Sequence, residues 1–246
     1  MKKILALLFA FFAFIGTAIC QESETSQRTS SFHLSLDLQT KYVWRGMEMM
    51  TVESAPVVFP QLNYQYKGLF AYVMGGYAIN GKYAEVDLGF TYSYKWITMG
   101  INGYYYPTIS SIEDQYFSFG NKDTGHWWEA VVTIAPEKMP VSVTISNFFA
   151  GADKNLDGNQ AFSTYAEICS WYNFLNDHKL SLYLGAAMNK SCYNGYLHGF
   201  GVCNIEGRYT YNLSFTNGLT VPLSVGYILN PIYQKAHINF MMSFAF

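Results

Sequence analysis

Charged side chains recur in this sequence at even spacings that would place them on one face of an extended chain. Glu85 and Asp87 are two residues apart, and so are Glu206 and Arg208. Because alternate residues of a β-strand face the same side of a sheet, each pair predicts a short row of charge. Charges of opposed sign around a pore produce a transverse field that selects ions or polar solutes. The chemistry predicted first is therefore selection of solutes rather than bond making.

If strands of this kind close into a barrel, the same spacing rule gives the candidate residues that face its lumen. They are Asp37, Lys41, Arg45, Glu85, Asp87, Glu129, Glu167, Glu206, Arg208 and His237. Six carboxylates face three basic residues in this set, so we expect conduction to favour cations. We place these charges near the extracellular mouth of the barrel. Because the first and last strands of a closed barrel are neighbours, His237 would lie towards Arg45. The alternative is that the charges neutralise one another and fill a narrow interior.

Two other groups of residues have side chains of types that could serve different chemistry. His126 and Asn147 would lie near an outer lipid boundary, as a lipid-hydrolysing site requires, but no serine shares their face on neighbouring strands. Residues 153–158 resemble the start of a calcium loop, yet Thr164 stands where such a loop carries a bidentate Glu, which favours an Asx-rich turn. We therefore expect no catalytic residue, no metal and no cofactor.

The composition indicates the medium in which these residues work. Of 246 residues, 50% are apolar, 18% aromatic and only 13% charged, which is about half the charged fraction usual for a soluble domain. The formal charge of -2 provides no basic patch for nucleic acid. No Pro-, Gly- or Ser-rich stretch divides the chain, so one folded domain in a membrane is expected.

The first 20 residues have the pattern of an export signal. Lys2 and Lys3 precede an apolar stretch from Ile4 to Ile15, which small residues separate from Gln21. We predict a signal peptide over residues 1–20, a short periplasmic tail over 21–30 and a barrel over 31–246.

Beyond the signal, no apolar run reaches the roughly 20 residues that a membrane-spanning helix needs. The pattern instead has a period of two, most clearly over 236–246, which indicates strands between an apolar and a polar medium. An all-β, antiparallel, up-and-down transmembrane β-barrel of about 12 strands is predicted. The strand segments are 31–45, 57–66, 69–78, 84–94, 96–106, 126–135, 141–150, 161–174, 180–189, 198–214, 219–229 and 236–246. Alternation is poor over 198–214, a pattern that fits either a bulge or a shifted register.

The connections between these segments alternate between long and short. This alternation predicts that both termini are periplasmic and that the long loops are extracellular in the outer membrane. Aromatic residues near strand ends, including Tyr42, Trp44 and Tyr104 to Tyr106, predict girdles at the boundaries with lipid and lipopolysaccharide.

One motif resembles a known family. Tyr42-Val43-Trp44-Arg45-Gly46 is similar to the Tyr-Val-aromatic-Arg-Gly signature of the TorF-like porin family, and later segments resemble outer-membrane barrels of the Bacteroides group. The resemblance implies an outer-membrane location and a porin of undefined substrate. It also implies that the terminal Phe246 contacts the barrel assembly machinery. Among functions, we favour a small passive porin for hydrophilic solutes or cations; a plugged structural barrel, an adhesive barrel and a lipid-modifying enzyme remain as alternatives.

Overall fold

A computed structural model describes residues 31–51, 53–107, 115–120, 124–216 and 218–246. The expected signal peptide and periplasmic tail, residues 1–20 and 21–30, lie outside these described residues. Within them, no helix combines the length and the apolar character needed to cross a bilayer.

The described chain forms one closed antiparallel barrel, which confirms the predicted fold class and strand number. The twelve barrel strands are β1 (Ser31–Gln39), β4 (Val57–Tyr66), β5 (Leu69–Ala78), β6 (Ala84–Tyr94), β7 (Ile97–Tyr105), β8 (His126–Ile134), β9 (Val141–Gly151), β10 (Thr164–Phe174), β11 (His178–Ala187), β12 (Gly201–Ser214), β13 (Thr220–Asn230) and β14 (Lys235–Ala245). Going round the ring, the order is β1-β14-β13-β12-β11-β10-β9-β8-β7-β6-β5-β4, so each strand pairs with its sequence neighbours in the ring. Two short strands, β2 (Val43–Trp44) and β3 (Met47–Glu48), pair only with each other.

Alternation along each strand separates an apolar outer wall from a polar lumen. On β6, Val86, Leu88 and Phe90 are exposed on the outside, while Glu85 and Asp87 are buried on the inside. Every Asp, Glu, Lys and Arg within the twelve described barrel strands has the inward position of this alternation. A wall without outward charge is what a surrounding hydrocarbon phase requires.

The two ends of the barrel differ in the length of their connections. At the turn end, short connections such as Lys67-Gly68 and Lys95-Trp96 join the strands. Lys67 and Lys95 have φ of 46° and 52°, values typical of tight hairpin turns. At the other end, the loop end, long connections join β1 to β4, β7 to β8, β9 to β10 and β11 to β12. The first and last barrel strands start and finish, respectively, at the turn end.

The barrel closes by pairing of β1 with β14. The register runs from Ser35 opposite Ala245 to Gln39 opposite Met241. Phe246 continues the seam, because its N–H donates to the Leu34 carbonyl at 2.8 Å and its carbonyl accepts from the Leu34 N–H at 3.2 Å. Within the described residues, this pairing closes the wall, so the sheet has no free edge strand.

The first strand is shorter than the predicted segment 31–45. It ends at Gln39, and residues 41–50, which we call the inward hairpin, fold into the lumen. The alternation of Tyr42 and Trp44 is real, but it belongs to a hairpin with its own two-residue turn. Arg45 and Gly46 form that turn with φ of 50° and 77°. Positive φ at both central residues is typical of a type I′ turn.

The poor alternation over 198–214 also has a local cause. The β11–β12 register shifts between Gly185 and Ala186, which face Asn204 and Val202, so that Cys203 is the extra residue of a bulge. A bulge reverses the inside-outside pattern along the strand. The irregularity in the sequence is therefore a structural feature and not a misplaced strand.

Candidate functional site

The inward hairpin crosses the lumen near the loop end. Although it leaves the barrel after β1, its side chains contact strands β4, β7, β8, β9 and β10. In the ring, β9 lies opposite β1. Tyr42, Trp44 and Met50 are 4 to 6% exposed. The hairpin and the side chains around it therefore fill the loop-end part of the lumen.

Arg45 at the tip of the hairpin is held by a carboxylate of the far wall. Its Nη1 and Nη2 atoms lie 2.5 and 3.2 Å from Oε1 and Oε2 of Glu129 on β8. The Arg45 side chain is 10% exposed and the Glu129 side chain is fully buried. Glu129 also accepts from the Tyr104 hydroxyl at 2.8 Å and from Asn102 at 3.3 Å. A buried, bidentate ion pair whose carboxylate accepts two further hydrogen bonds fixes the position of the tip.

Aromatic rings surround the Arg45 guanidinium. Its central carbon lies 4.3 Å from the ring centroid of Trp44 and 4.8 Å from that of Tyr165. The hydroxyl of Tyr193, which belongs to the loop between β11 and β12, accepts from Nη1 at 2.5 Å. Trp44 in turn packs edge-on against Tyr104 and tilted against Phe148, at 5.8 and 6.3 Å. Cation–π and ring contacts thus add to the ion pair.

Backbone contacts also fix the hairpin tip. The Gly46 carbonyl accepts from the Asn230 side chain at 3.0 Å. A β-carbon placed on Gly46 would overlap the carbonyl of Cys203 and touch the Cα of Asn204. Only glycine satisfies both this close approach and the positive φ.

The base of the hairpin is attached to β14. Lys41 forms an ion pair with Glu48 at 2.7 Å, and Lys235 approaches the same carboxylate at 3.8 Å. The Lys41 N–H also donates to Asn239 at 3.1 Å. Both ends of the hairpin are therefore anchored to the wall.

The structure brings some of the predicted charges together and separates others. Lys41 and Arg45 enter the lumen from the hairpin, not from a strand. The expected approach of Arg45 to His237 does not occur, because Arg45 is paired with Glu129 across the lumen. The charged groups around His237 are Glu48, Lys41 and Lys235.

The other predicted charges occupy two parts of the wall. Glu85 and Asp87 lie side by side on β6, both 2% exposed. Across the barrel, Glu167 accepts from Asn204 at 3.1 Å and from the Tyr165 hydroxyl. Arg208 is paired with Glu206 on the same strand at 2.6 Å. Asp37 faces the lumen at half-buried depth on β1.

Several important residues were not found by sequence reasoning. Trp44 and Tyr104 were predicted in lipid girdles but lie in the lumen, and Tyr193 and Asn230 were not singled out. Spacing cannot distinguish an aromatic residue facing lipid from one facing a packed lumen. A signal was present in the concentration of tyrosine and tryptophan beside the charged Arg45, a combination suited to cation–π contacts.

His126, Asn147 and the calcium-like segment 153–158 have structural roles. His126 is 1% exposed, its Nε2 lies 2.6 Å from the Tyr116 carbonyl oxygen, and its ring packs on Phe119. Asn147 donates to the Phe162 carbonyl at 2.8 Å. In the calcium-like segment, the buried Asp153 carboxylate accepts from the Ser163 backbone at 2.8 Å and hydroxyl at 2.6 Å. These groups hold the loops on the barrel rim.

Cys192, next to Tyr193, reports on the packing of the loop between β11 and β12. Burial, together with the charge of Asp153, raises the pKa of its thiol well above the usual value. The neutral thiol is unreactive, so we expect maleimide labelling at pH about 8 to be at least ~10-fold slower in the folded protein than in urea, and to speed up as pH rises. Peptide mapping by mass spectrometry isolates Cys192 from other thiols. Equal rates in folded and unfolded protein would show that this loop does not pack as described.

Some solved porin structures are similar in fold to this chain. No protein-family model and no curated protein matches the chain, so the resemblance to the TorF-like porin family remains a prediction. Among solved structures, a KdgM porin shares 10% identity over 89% of this chain and 98% of its own, with a TM-score of 0.44. A NanC porin shares 11% identity over 87% and 98%, with a TM-score of 0.46. A Rhodopseudomonas blastica porin mutant shares 8% identity over 89% and 100%, with a TM-score of 0.38.

Proposed function

We propose that this protein is an outer-membrane channel for small hydrophilic cations, closed at the loop end by the inward hairpin. The observation that carries the proposal is the division of charge in the wall: every charged residue of the described barrel strands faces the lumen, while the outer wall is apolar. Such a wall suits a barrel with lipid outside and water or polar solute inside. The orientation proposed has the loop end extracellular and the turn end periplasmic.

The charge balance of the lumen supports a preference for cations. Arg45 and Arg208 are both neutralised by carboxylates, Glu129 and Glu206. Within the residues that the structure describes, no Lys, Arg or His forms an ion pair with Asp37, Glu85, Asp87 or Glu167. Over the described barrel strands and the inward hairpin together, seven carboxylates face five basic groups, which include Lys179 and Lys235. The excess of two carboxylates leaves a net negative potential along the lumen, which attracts cations and repels anions.

The position of the inward hairpin favours a channel that opens only when the hairpin is displaced, and not one that is permanently open. Its rings occupy the loop-end part of the lumen and contact strands on the opposite side. A solute crossing the barrel would have to displace the hairpin or pass while it is displaced. The same observation favours a second candidate, a barrel that stays plugged and serves as a structural or adhesive element. Contact with lipopolysaccharide, and of Phe246 with the assembly machinery, remain proposals.

Conductance of the refolded mature chain, residues 21–246, in a planar bilayer under a salt gradient tests the two candidates. We expect infrequent but resolved conductance steps, with a reversal potential whose sign indicates selectivity for cations. Asp157→Asn, in an exposed loop away from the lumen, is the matched control and should leave the reversal potential unchanged. A demonstrably folded barrel that never conducts would favour the plugged structural role.

A further inference from the structure

The seam between β1 and β14 is paired along only part of β14. The register ends with Gln39 opposite Met241, and the last backbone contact is the Thr40 N–H, which donates to the Phe240 carbonyl at 2.9 Å. There the chain turns into the lumen as the inward hairpin. Residues 235–239 of β14 therefore extend beyond the last backbone contact with β1.

The extension leaves backbone groups of β14 without a partner. Alternate residues of an antiparallel strand direct both their N–H and their C=O groups to the same neighbouring strand. On β14 the even-numbered residues face β1, as the two hydrogen bonds between Phe246 and Leu34 show. Beyond Phe240, the next residues of this set are Ile238 and Ala236. Within the part of the chain that the structure describes, their backbone groups make no hydrogen bond across the seam. Such an edge is a template for another extended segment.

Residues 41–44 have the sequence that would continue this ladder. Extending the register of the seam puts Tyr42 opposite Ile238 and Trp44 opposite Ala236. Both rings would then face outwards, because the even-numbered residues of β1 do so, and aromatic rings are favoured where a barrel wall meets the lipid interface. An apolar groove on the outer wall reaches the point where β1 ends, and its lining there includes Leu38, Thr40, Pro56, Ile79 and Phe240.

We propose that residues 41–44 dock on the unpaired edge of β14 when the inward hairpin leaves the lumen, so that the open barrel has a longer first strand. The segment then has two defined positions. The Arg45–Glu129 ion pair holds it in the lumen, and backbone hydrogen bonds to Ile238 and Ala236 hold it at the seam. Because pairing at the seam replaces part of what the segment loses in the lumen, a discrete open state is favoured over a disordered loop. The proposal rests on the proposed channel for its role as a gate.

Ile238→Pro tests the use of this edge. Proline removes the N–H that faces the seam and places its ring in the path of an incoming strand, whereas the hydrogen bonds of β14 to β13 use the odd-numbered residues. We expect a folded, closed barrel whose openings in planar bilayers are at least ~10-fold less frequent than those of the wild type. Ile238→Val keeps the N–H and is the matched control. Openings at the wild-type frequency in a folded Ile238→Pro barrel would overturn the proposal.

A disulfide trap tests the register without the need for conduction. In Trp44→Cys/Ala236→Cys the two cysteines lie opposite each other in the proposed ladder, at a separation that suits a disulfide. In Trp44→Cys/Ile238→Cys the partner is displaced by two residues along β14. In the lumen, residue 44 packs on Tyr104 and Phe148, on the side of the barrel away from β14. We expect oxidation by copper-phenanthroline to form the disulfide of the first variant at least ~10-fold faster than that of the second, as measured by peptide mapping.

The results separate the docking of this segment from the channel itself. Equal rates in the two variants, or no disulfide in either, would overturn the paired position, because a disordered segment reaches both cysteines alike. Rapid disulfide formation in the first variant alone, in a barrel that never conducts, would support docking at the seam and reject the channel. Conduction by a barrel whose two disulfides form equally fast would reject docking and retain the channel.

Discussion

Replacing Arg45 by alanine should convert a mostly closed barrel into a frequently open one with a stronger cation preference. The substitution removes the hairpin's ion pair with Glu129, its hydrogen bond to Tyr193 and its ring contacts. It also leaves the Glu129 carboxylate facing the lumen without a basic partner. In planar bilayers we expect more frequent opening and a reversal potential shifted further to the cation side.

The expected size of the effect on opening follows from the burial of the Arg45–Glu129 ion pair. Removing one partner of a buried ion pair costs about 3–5 kcal/mol. The lower end applies here, because Glu129 keeps its hydrogen bonds from Tyr104 and Asn102. If the closed position of the hairpin loses about 3 kcal/mol, the ratio of open to closed barrels rises by about two orders of magnitude. The effect on the stability of the barrel itself should be smaller, since the strands do not depend on the hairpin for pairing.

Arg208→Ala is the matched control for the loss of charge. Arg208 is also a lumen-facing arginine paired with a carboxylate, but its partner Glu206 is on its own strand and it stacks on Tyr183 of the barrel wall. We expect Arg208→Ala to change the reversal potential without more frequent opening. If Arg45→Ala and Arg208→Ala give the same opening frequency and reversal potential in planar bilayers, Arg45 contributes charge but does not hold the hairpin.

Gly46→Ala should open the lumen at least as strongly, by a purely steric route. The added methyl group would overlap the Cys203 carbonyl, which is wall backbone and cannot rotate away. The residue would also keep a φ of 77°, which costs an L-amino acid about 1–2 kcal/mol. We expect the hairpin tip to leave its site, with frequent opening in bilayers. Trypsin should then cut the folded barrel after Arg45, which the closed hairpin protects.

Gly158→Ala is the control for Gly46→Ala, because it introduces the same backbone strain without a steric overlap. Gly158 has a nearly identical φ of 79°, but a β-carbon there would meet no atom within 4 Å. This variant should conduct and resist trypsin as the wild type does. Protection of the Arg45 site in a folded Gly46→Ala barrel would mean that the tip does not lie against β12.

The barrel was predictable from sequence because each strand is specified by the alternation of its own residues. In β14 and β6, side chains alternate between lipid and lumen at every step, and the short turns at Lys67 and Lys95 set the strand count. The inward position of Glu85, Asp87, Glu129 and Glu167 followed from the same alternation. No knowledge of distant strands was needed for any of these assignments.

The closure of the lumen was not predictable in the same way. The alternating pattern continues through Tyr42 and Trp44 after β1 has ended, so period alone extends the strand by six residues. The pairing of Arg45 with Glu129 depends on strands five places apart in the ring, and on a turn that redirects the chain inward. The two positive-φ residues Arg45 and Gly46 mark that turn, but in sequence an Arg-Gly pair is also an ordinary end to a strand.

The order in which the molecule is built follows from where the inward hairpin finds its partners. Its hydrogen bonds join residues 84, 148 and 184 positions apart in sequence, to Glu129, Tyr193 and Asn230. Contacts over such separations form late in folding, because the loops between them must first be closed. The strands that supply these partners include β8 and β13, so the hairpin cannot dock before most of the wall exists. The nascent barrel must therefore pass through a hollow, water-filled stage, with an aromatic segment waiting at its mouth, before it becomes the closed protein described above.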